Sequence, residues 1–323
     1  MPVLVPDLPP GYRARPTSTD DVPALHALVA ACERELYGHP ETDPGSIAAV
    51  FARPGLVTEL DTLLVHDRSG QPVARAWVNR RSEVDVHPQH RGHGLGSALL
   101  DWAEARARQA GDEQLAQTVP NGDVQAVTLL RSRGYEPKVT QWLLEYTMTD
   151  EPPLPEPVPG IAVRPFRAGD EQAAHLLIQD AFDDWQQRRH PFREWAEHTV
   201  ARPAFAPGLS ALAFATDPSD PTGGLDPTGS LDPTGELVGA VLAMDLPETA
   251  GGYVEEVAVR HDHRNRGIAR LLLHTVFRAF HQHGRRTCTL WTHSDTGALD
   301  LYLRVGMQVQ RSSTVFKKPL TQS

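Results

Sequence analysis

The chain has 323 residues, of which 40% are hydrophobic and 22% are charged, and its formal net charge at pH 7 is −10. This length is too great for one small hydrophobic core and comfortable for two domains of ordinary size. The composition is that of a globular protein, no apolar run approaches the roughly 20 residues of a membrane helix, and the negative charge disfavours non-specific nucleic-acid binding. We therefore expect neither a nucleic acid nor a membrane as partner.

The cysteine content and the N-terminal sequence indicate the compartment. Cys32 and Cys288 are the only cysteines, and each stands among apolar neighbours, so a disulfide framework is not expected. The N-terminal stretch M-P-V-L-V-P-D-L-P-P lacks the basic region and the sustained apolar core of a signal peptide. These features predict two buried thiols in a cytoplasmic protein.

The first half of the chain predicts the element order β, α, α, β, β, β, α, β, α, β, β. Hydrophobic periodicity and turn residues define these elements. They are a strand at 12–16, helices at 20–35 and 46–52, strands at 62–67 and 72–80 joined by the turn R-S-G-Q, a strand ending at 84–86, a helix from about 95 to 110, a strand near 115–119, a helix near 123–133 and closing strands within 135–148.

A proline-rich stretch, D-E-P-P-L-P-E-P-V-P, lies between Thr149 and Gly160. Its prolines cannot pair in a sheet or continue a helix, and we interpret it as a stiff extended linker. The predicted domains are therefore 1–148 and 161–323, joined by 149–160. The second half repeats the order, with a strand at 161–166, helices at 171–185 and 191–200, strands at 209–216 and 237–244, a strand at 253–259, a helix at 268–280, a strand at 287–293, a helix near 297–304 and closing strands.

A six-residue unit occurs three times between Asp220 and Leu237, as D-P-T-G-G-L, D-P-T-G-S-L and D-P-T-G-E-L. Each D-P-T-G predicts a turn. Three short polar copies bury no core, and their aspartates are too sparse for a cation cage. We interpret the segment as an expanded hairpin loop, and we expect no metal site.

A strand, a basic glycine-rich turn and a helix start occupy Val84 to Gly96, V-D-V-H-P-Q-H-R-G-H-G-L-G. Unpaired amides at a helix N-terminus bind anions, and glycine lets a phosphate approach the main chain. The pattern returns at Tyr253 to Ala269, Y-V-E-E-V-A-V-R-H-D-H-R-N-R-G-I-A. Neither turn has the G-x-x-x-x-G-K-[ST] or G-x-G-x-x-G order, so the motifs of other phosphate-binding folds do not fit.

A strand followed by R-x-x-G-x-G or R-x-x-G-x-A and a helix resembles the coenzyme A pyrophosphate loop of the GNAT superfamily of N-acyltransferases. Two such copies imply a tandem protein with two GNAT domains, similar in architecture to the mycothiol synthases. The implied fold class is α/β (α+β), in which each domain is a mixed, mostly antiparallel sheet flanked by helices.

The resemblance also implies acetyl-CoA as co-substrate, held by the two turns and by exposed amides of the strands that precede them. Arg91 is expected to add a permanent charge beside the anion. The implied cofactor-binding residues are Val84, Val86, Arg91, Gly92, His93, Gly94, Leu95, Gly96 and Ser97 in the first half, and Val257, Val259, Arg264, Asn265, Arg266, Gly267, Ile268, Ala269 and Arg270 in the second.

A candidate catalytic acid follows from the segment T-G-A-L-D-L-Y-L-R-V-G-M, which resembles the A-x-x-L-Y-x-x-x-G-F segment of the superfamily. Tyr302 stands at its tyrosine, and the resemblance assigns it proton donation to the departing thiolate. The asparagine usually found a few residues earlier is replaced by Ser294 or Asp295. The first half has Leu130 at the place of Tyr302, so we expect the chemistry in the second domain.

The candidate base is Glu255 or Glu256, because both lie on the strand that enters the site and the amine must lose a proton. Strand alternation puts only one of them on the cleft face. An unbroken strand favours Glu255, on the face of Val257 and Val259, whereas a β-bulge would switch the choice to Glu256. His293, at the end of the following strand, is a further candidate.

The predicted function is acetyl-CoA-dependent transfer of an acyl group to a primary amine of a small molecule. The alternative is a non-catalytic acetyl-CoA-binding module that senses or regulates, because one half lacks the acid. We expect a monomer or a homodimer.

Overall fold

A computed structural model of the chain describes residues 3–153, 156–186, 188–216 and 235–320. The chain divides into two compact units. The first unit is Met1–Thr140 with Ser312–Ser323, and the second unit is Gln141–Arg311. Most of the D-P-T-G segment, residues 220–234, lies outside the described residues, so its interpretation as a hairpin loop stays a prediction.

The elements of the first half follow the predicted order with two differences. They are β1 (Arg13–Arg15), α1 (Val22–Tyr37), α2 (Pro44–Phe51), α3 (Thr58–Asp61), β2 (Thr62–His66), β3 (Pro72–Asn79), β4 (Arg81–Val86), α4 (Leu95–Ala110), β5 (Gln114–Pro120), α5 (Val124–Ser132) and β6 (Glu136–Thr147). The single turn α3 was not predicted, and one long strand, β6, stands where several closing strands were expected.

The second half repeats this order. Its elements are β7 (Ile161–Pro165), α6 (Glu171–Phe182), α7 (Phe192–His198), β8 (Ala211–Ala215), β9 (Glu236–Leu246), β10 (Gly251–Val259), α8 (Ile268–Gln282), β11 (Thr287–His293), α9 (Leu299–Arg304) and β12 (Gln308–Pro319). Here too, one long strand replaces the predicted closing strands.

The sheet of the first unit has the strand order β1, β2, β3, β4, β5, β12. Neighbouring strands are antiparallel except β4 and β5, which run parallel and pair only at Ser82 and Gln117. Residues Ser313–Pro319 of β12 pair with β5. The parallel strands therefore separate after a single point of contact.

The sheet of the second unit has the order β6, β11, β10, β9, β8, β7. Its parallel pair is β10 and β11, which are in register only where residues Gly251–Tyr253 face Thr287–Thr289. Residues Gln141–Thr147 of β6 complete the sheet by antiparallel pairing with β11. Beyond Tyr253 the two parallel strands diverge.

The division into units differs from the expected ranges 1–148 and 161–323. Most of the last strand, from Ser312 onward, belongs to the first unit, and most of the strand that precedes the proline-rich stretch, from Gln141 onward, belongs to the second. The reason is that backbone pairing assigns a strand to a sheet regardless of its place in the sequence. Consequently each unit receives its sixth strand from the other half of the chain.

The helices α4 and α8, which follow the two glycine-rich turns, each pack an apolar stripe against the sheet of their own unit. In α8 the predicted stripe Ile268, Leu272, Val276 and Phe280 is at most 1% exposed. In α4 the predicted residues Leu95, Leu99, Trp102 and Ala103 are likewise buried. Burial of one such stripe anchors each helix with its N-terminus at the end of the preceding strand. Both cysteines are buried free thiols, as predicted.

The described part of the proline-rich stretch lies along α8, within the second unit. Arg278 donates to the carbonyl of Pro152 at 3.0 Å and pairs with Glu151 at 2.7 Å. Val158 packs against the core cluster of that unit. The stretch is extended, but it is fastened to a helix. Across the described residues, no helix is long and apolar enough to cross a membrane.

Candidate active site

A cleft of about 1070 Å³ opens in the second unit where β10 and β11 diverge. Its walls are the end of β10, the start of α8, the end of β11, α9 and the end of α6. The three predicted catalytic residues, Glu255, Glu256 and Tyr302, all line it. The geometry therefore brings the predicted base and acid into one cavity.

The predicted anion turn forms one end of this cleft. Asn265 and Gly267 have φ angles of 62° and 86°, and α8 begins at the next residue without a side-chain cap. The amides of its first turn are thus unoccupied by the protein, as a pyrophosphate site requires. Of the predicted cofactor residues, Val257, Val259, Arg264, Asn265, Gly267, Ile268, Ala269 and Arg270 line the cleft, whereas Arg266 does not.

The side chain of Arg264 holds the turn against the neighbouring elements. Its Nε donates to the carbonyl of Val259 at 3.2 Å, and its Nη2 donates to that of Ala181 at 2.7 Å. Its Nη1 lies 3.1 Å from the Asp184 carboxylate. The turn therefore offers its backbone amides to an anion, while the Arg264 guanidinium is engaged by the protein.

The first unit has a similar cleft of about 640 Å³. Gly92 and Gly94 have φ angles of 77° and 85°, in the left-handed region that favours glycine. A Cβ on Gly96 would lie 3.0 Å from Leu129, so the third glycine allows close packing of α4 and α5. Of the predicted residues, Val84, Val86, Arg91, Gly92, Gly94, Leu95, Gly96 and Ser97 line this cleft, whereas His93 does not.

Arg91 repeats the arrangement of Arg264. Its Nε donates to the carbonyl of Val86 at 3.3 Å, and its terminal nitrogens pair with Glu35 at 2.7 Å and Asp123 at 3.5 Å. Arg91 therefore lines the cleft as a permanent charge that is paired with two carboxylates. Sequence could not reveal this, because the partners come from α1 and the start of α5.

A β-bulge in β10 favours Glu256 over Glu255 as the candidate base. Val254 pairs with Ala243 and Glu256 with Leu242, so Glu255 is the extra residue. The unbroken strand that favoured Glu255 is therefore not present, and Glu256 faces α7. The bulge that would switch the choice to Glu256 is observed.

The Glu256 carboxylate is enclosed and has one hydrogen-bond donor. The indole Nε1–H of Trp195, on α7, donates to its two oxygens at 3.2 and 3.0 Å. Burial raises the pKa of Glu256 to about 7, the Trp195 bond lowers it, and the neighbouring Glu255 raises it. A carboxyl with this pKa exchanges protons near neutral pH, which suits a general base.

Glu255 is less available. Arg202 donates to its carboxylate at 3.0 Å. Burial raises the pKa of Glu255, and the charge of Arg202 opposes this. Neither Trp195 nor Arg202 carried a sequence signal, because both lie in or after a helix without a motif.

Tyr302 lies on α9 and is 7% exposed. Burial raises the pKa of its phenol above the ordinary value of 10.0, so the group holds its proton at neutral pH. In this protonated form it has a proton to donate. In the first unit the corresponding side chain, Leu130, is 2% exposed and lines the cleft with no proton to give.

The strand that precedes the turn of the first unit, β4, lacks the bulge that is found in β10. Its pairing with β3 continues without a bulge. The carboxylate of Glu83 accepts from Arg75 and from the indole of Trp77, each at 3.0 Å, and Asp85 pairs with Arg75 at 2.6 Å. The two carboxylates of this strand, Glu83 and Asp85, are thus both paired with the buried Arg75.

His293, the further candidate, also lines the cleft of the second unit. Its ring meets that of Trp185 edge-on, with centroids 4.9 Å apart. It is half-buried and packed against an aromatic wall rather than fully solvated.

A family model described as the acetyltransferase (GNAT) family matches residues 24–135 and 179–307, which is more than half of the chain. The mycothiol acetyltransferase of Catenulispora acidiphila is 33% identical over 97 residues, 30% of this chain and 31% of that protein, so this match spans less than a third of the relative's length.

Two further similarities extend over most of the chain. The mycothiol acetyltransferase of Tsukamurella paurometabola is 28% identical over 296 residues, 84% of this chain and 95% of that protein. The crystal structure of a GCN5-related N-acetyltransferase from Sphaerobacter thermophilus is 28% identical, with a TM-score of 0.74 and coverage of 98% of both chains.

Proposed function

Since the chain belongs to the GNAT family of acetyltransferases, we propose that its second unit transfers the acyl group of acetyl-CoA to a primary amine of a small molecule. The observation that carries this proposal is the shared cavity. The divergence of β10 and β11 joins an uncapped helix N-terminus, Glu256 and Tyr302 in one cleft.

The residues of the anion turn hold the acyl donor. The left-handed residues Asn265 and Gly267 expose the first amides of α8 to a pyrophosphate. The stretch Glu256–Val259 of β10 pairs with β9 but not with β11, so its β11 side offers backbone groups to an extended ligand. Acetyl-CoA supplies the thioester carbon that the amine attacks. Fixing the donor in this way lowers the entropic part of the barrier.

Glu256 accepts the proton of the attacking amine. Its pKa of about 7 keeps a substantial fraction of the carboxylate ionised at neutral pH while leaving it basic enough to take a proton. Tyr302 gives its phenolic proton to the sulfur of the departing thiolate. The two proton transfers leave the amide and the free thiol as products.

The first unit is assigned a binding role without chemistry. It retains the glycine turn and the helix N-terminus, but it has Leu130 in place of the acid and a Glu83 that is paired with Arg75. We assign its cleft to coenzyme A or a thioester of it. The acyl transfer itself is confined to the second unit.

The test is thiol release from acetyl-CoA in the presence of a panel of primary amines. A positioned base contributes about a hundredfold to ten-thousandfold in rate, so Glu256→Gln should lower kcat within that range. The matched control is Glu83→Gln, which changes the corresponding carboxylate of the first unit, beside an indole N–H as well.

Under the proposal, Glu256→Gln loses most of its turnover, whereas Glu83→Gln keeps the turnover of the wild type. Full turnover in Glu256→Gln together with loss of turnover in a folded Glu83→Gln would place the reaction in the first unit. Tight binding of acetyl-CoA without thiol release against any amine would favour the sensing module instead.

A further inference from the structure

Trp195 lies directly beside the Glu256 carboxylate. Its indole Nε1–H donates to both carboxylate oxygens, at 3.2 and 3.0 Å, and the ring is 4% exposed. Among the side chains that the structure describes, no other one donates a hydrogen bond to Glu256. The orientation of this carboxylate therefore depends on one neutral donor.

The indole ring is itself fixed from behind. The His175 ring of α6 packs on it with centroids 5.3 Å apart, and Phe192 lies at 6.0 Å. The Nε2 atom of His175 is 2.7 Å from the carbonyl of His190, which joins α6 to the segment before α7. The N–H of Trp195 thus cannot turn away from the cleft without disturbing both helices.

We propose that Trp195 is the positioning residue for Glu256, because its N–H holds the carboxylate at the cleft and stabilises the anion that accepts the amine proton. This inference rests on the proposed role of Glu256 as the base. An enclosed carboxylate without a donor would take a proton or rotate towards solvent. The indole opposes both, because its hydrogen bond lowers the pKa of Glu256 and fixes the carboxylate, and it adds no charge of its own.

Burial and the neighbouring charges raise the pKa of Glu256, and the indole hydrogen bond acts against this rise. Burial raises the pKa of Glu256 to about 7, and the adjacent Glu255 acts in the same direction. Arg202 is engaged by Glu255. The surrounding elements carry further titratable side chains, which include His175 and Asp180 on α6, Arg193, Glu194, Glu197 and His198 on α7, Tyr253 on β10, His293 on β11, and Asp300, Tyr302 and Arg304 on α9. Asp184, Arg264 and Asp295 line the same cleft.

The contact can be tested by titration. In protein labelled with carbon-13 at the glutamate carboxyls, the Glu256 resonance is assigned by its absence in Glu256→Gln, and its midpoint is measured from pH 5 to 10. In Trp195→Phe the midpoint should rise by about one unit, because a charge-assisted hydrogen bond is lost.

Trp102→Phe is the matched control. Its indole is also 4% exposed and donates to a carbonyl, that of Leu4, at 3.2 Å, but it lies in the first unit. In this variant the Glu256 midpoint should stay at its wild-type value. A midpoint that moves equally in both variants would overturn the proposal.

Turnover supplies the second readout. The kcat is measured against pH with acetyl-CoA and the amine that reacts fastest in the panel. In Trp195→Phe the pH of half-maximal kcat should rise by about one pH unit, as the titration midpoint does, and kcat at pH 7 should fall about fivefold. The KM for acetyl-CoA should not change. A shifted titration combined with full activity of Glu256→Gln would support the contact and overturn the base role alone.

A wild-type measurement covers the case in which Trp195→Phe does not fold. The Trp195 indole N–H resonance should move with pH at the Glu256 midpoint, and that of Trp102 should not. A Trp195 resonance that stays fixed through this range, or a titration in Trp195→Phe identical to that of the wild type, would overturn the proposal.

Discussion

Glu256, the proposed base, also affects stability through its raised pKa. Its pKa in the folded protein is about 7, against an ordinary value of 4.5. Because the folded state binds the proton more tightly, the stability from this group is fully present below about pH 4.5 and is lost as the pH rises through about 7.

We expect Glu256→Gln to be more stable than the wild type above pH 7. An uncharged amide removes the cost of an enclosed anion, which from the raised pKa amounts to at most about 3 kcal/mol. The measurement is thermal unfolding of both proteins at pH 5 and pH 8.5. The loss of Tm between these two values should be smaller in the variant, and an equal loss in both proteins would contradict the linkage.

Tyr302 gives a second prediction at the residue scale. Phenylalanine keeps the ring and removes the proton donor, so Tyr302→Phe should lower kcat by about a hundredfold or more while leaving acetyl-CoA affinity intact. Affinity is measured by calorimetry and kcat by thiol release. The control is Tyr135→Phe, a buried tyrosine of the first unit that is 2% exposed. Equal turnover in both variants would remove Tyr302 from the mechanism.

At the scale of single elements, the anion turn depends on left-handed backbone. Gly267 and Gly94 take φ angles of 86° and 85° immediately before α8 and α4. A residue with a Cβ is strained there by about 1–2 kcal/mol, and it also stands between the first amides and a phosphate. Any replacement therefore affects both folding and binding.

Gly267→Val should lower the affinity for acetyl-CoA at least about tenfold, because the amides of α8 no longer align on the phosphate. Calorimetry measures this. The control is Gly284→Val, since Gly284 also has a positive φ, 77°, with nothing within 4 Å of its Cβ position. It shares the backbone strain without touching the cleft. Equal binding in both variants would remove the turn from the site.

At the scale of the whole molecule, each half of the chain contributes a strand to the unit built mainly from the other half. Phe316, on β12, is 1% exposed and packs with Leu100, Val119, Leu130 and Tyr135 of the first unit. A residue near the end of the sequence therefore belongs to the core of the first unit.

Phe316→Ala should destabilise the first unit by about 3–5 kcal/mol, the usual result of removing a buried phenyl ring. Hydrogen exchange should accelerate in β5, to which β12 is paired, and should stay unchanged in β10. Phe277→Ala, in the core of the second unit, should give the converse pattern. Acceleration confined to β10 in Phe316→Ala would contradict the assignment of β12.

The amino-acid sequence by itself determined the features that depend on neighbouring residues. The element order, the apolar stripe of α8, the two glycine turns and the family followed from local periodicity, local backbone freedom and short motifs. The sequence also showed a candidate proton donor at Tyr302 and none at the corresponding Leu130, because a phenol has a dissociable proton and a leucine side chain has none.

Only the tertiary structure decided the features that depend on partners distant in sequence. The bulge in the register between β10 and β9, on which the proposal of Glu256 rather than Glu255 as base rests, is one of them. The Trp195 donor and the Arg91 partners come from other helices. The exchange of β6 and β12 between the units follows from backbone pairing. These hydrogen bonds and strand registers join residues that are distant in sequence, and no local pattern along the chain specifies which distant residues come into contact.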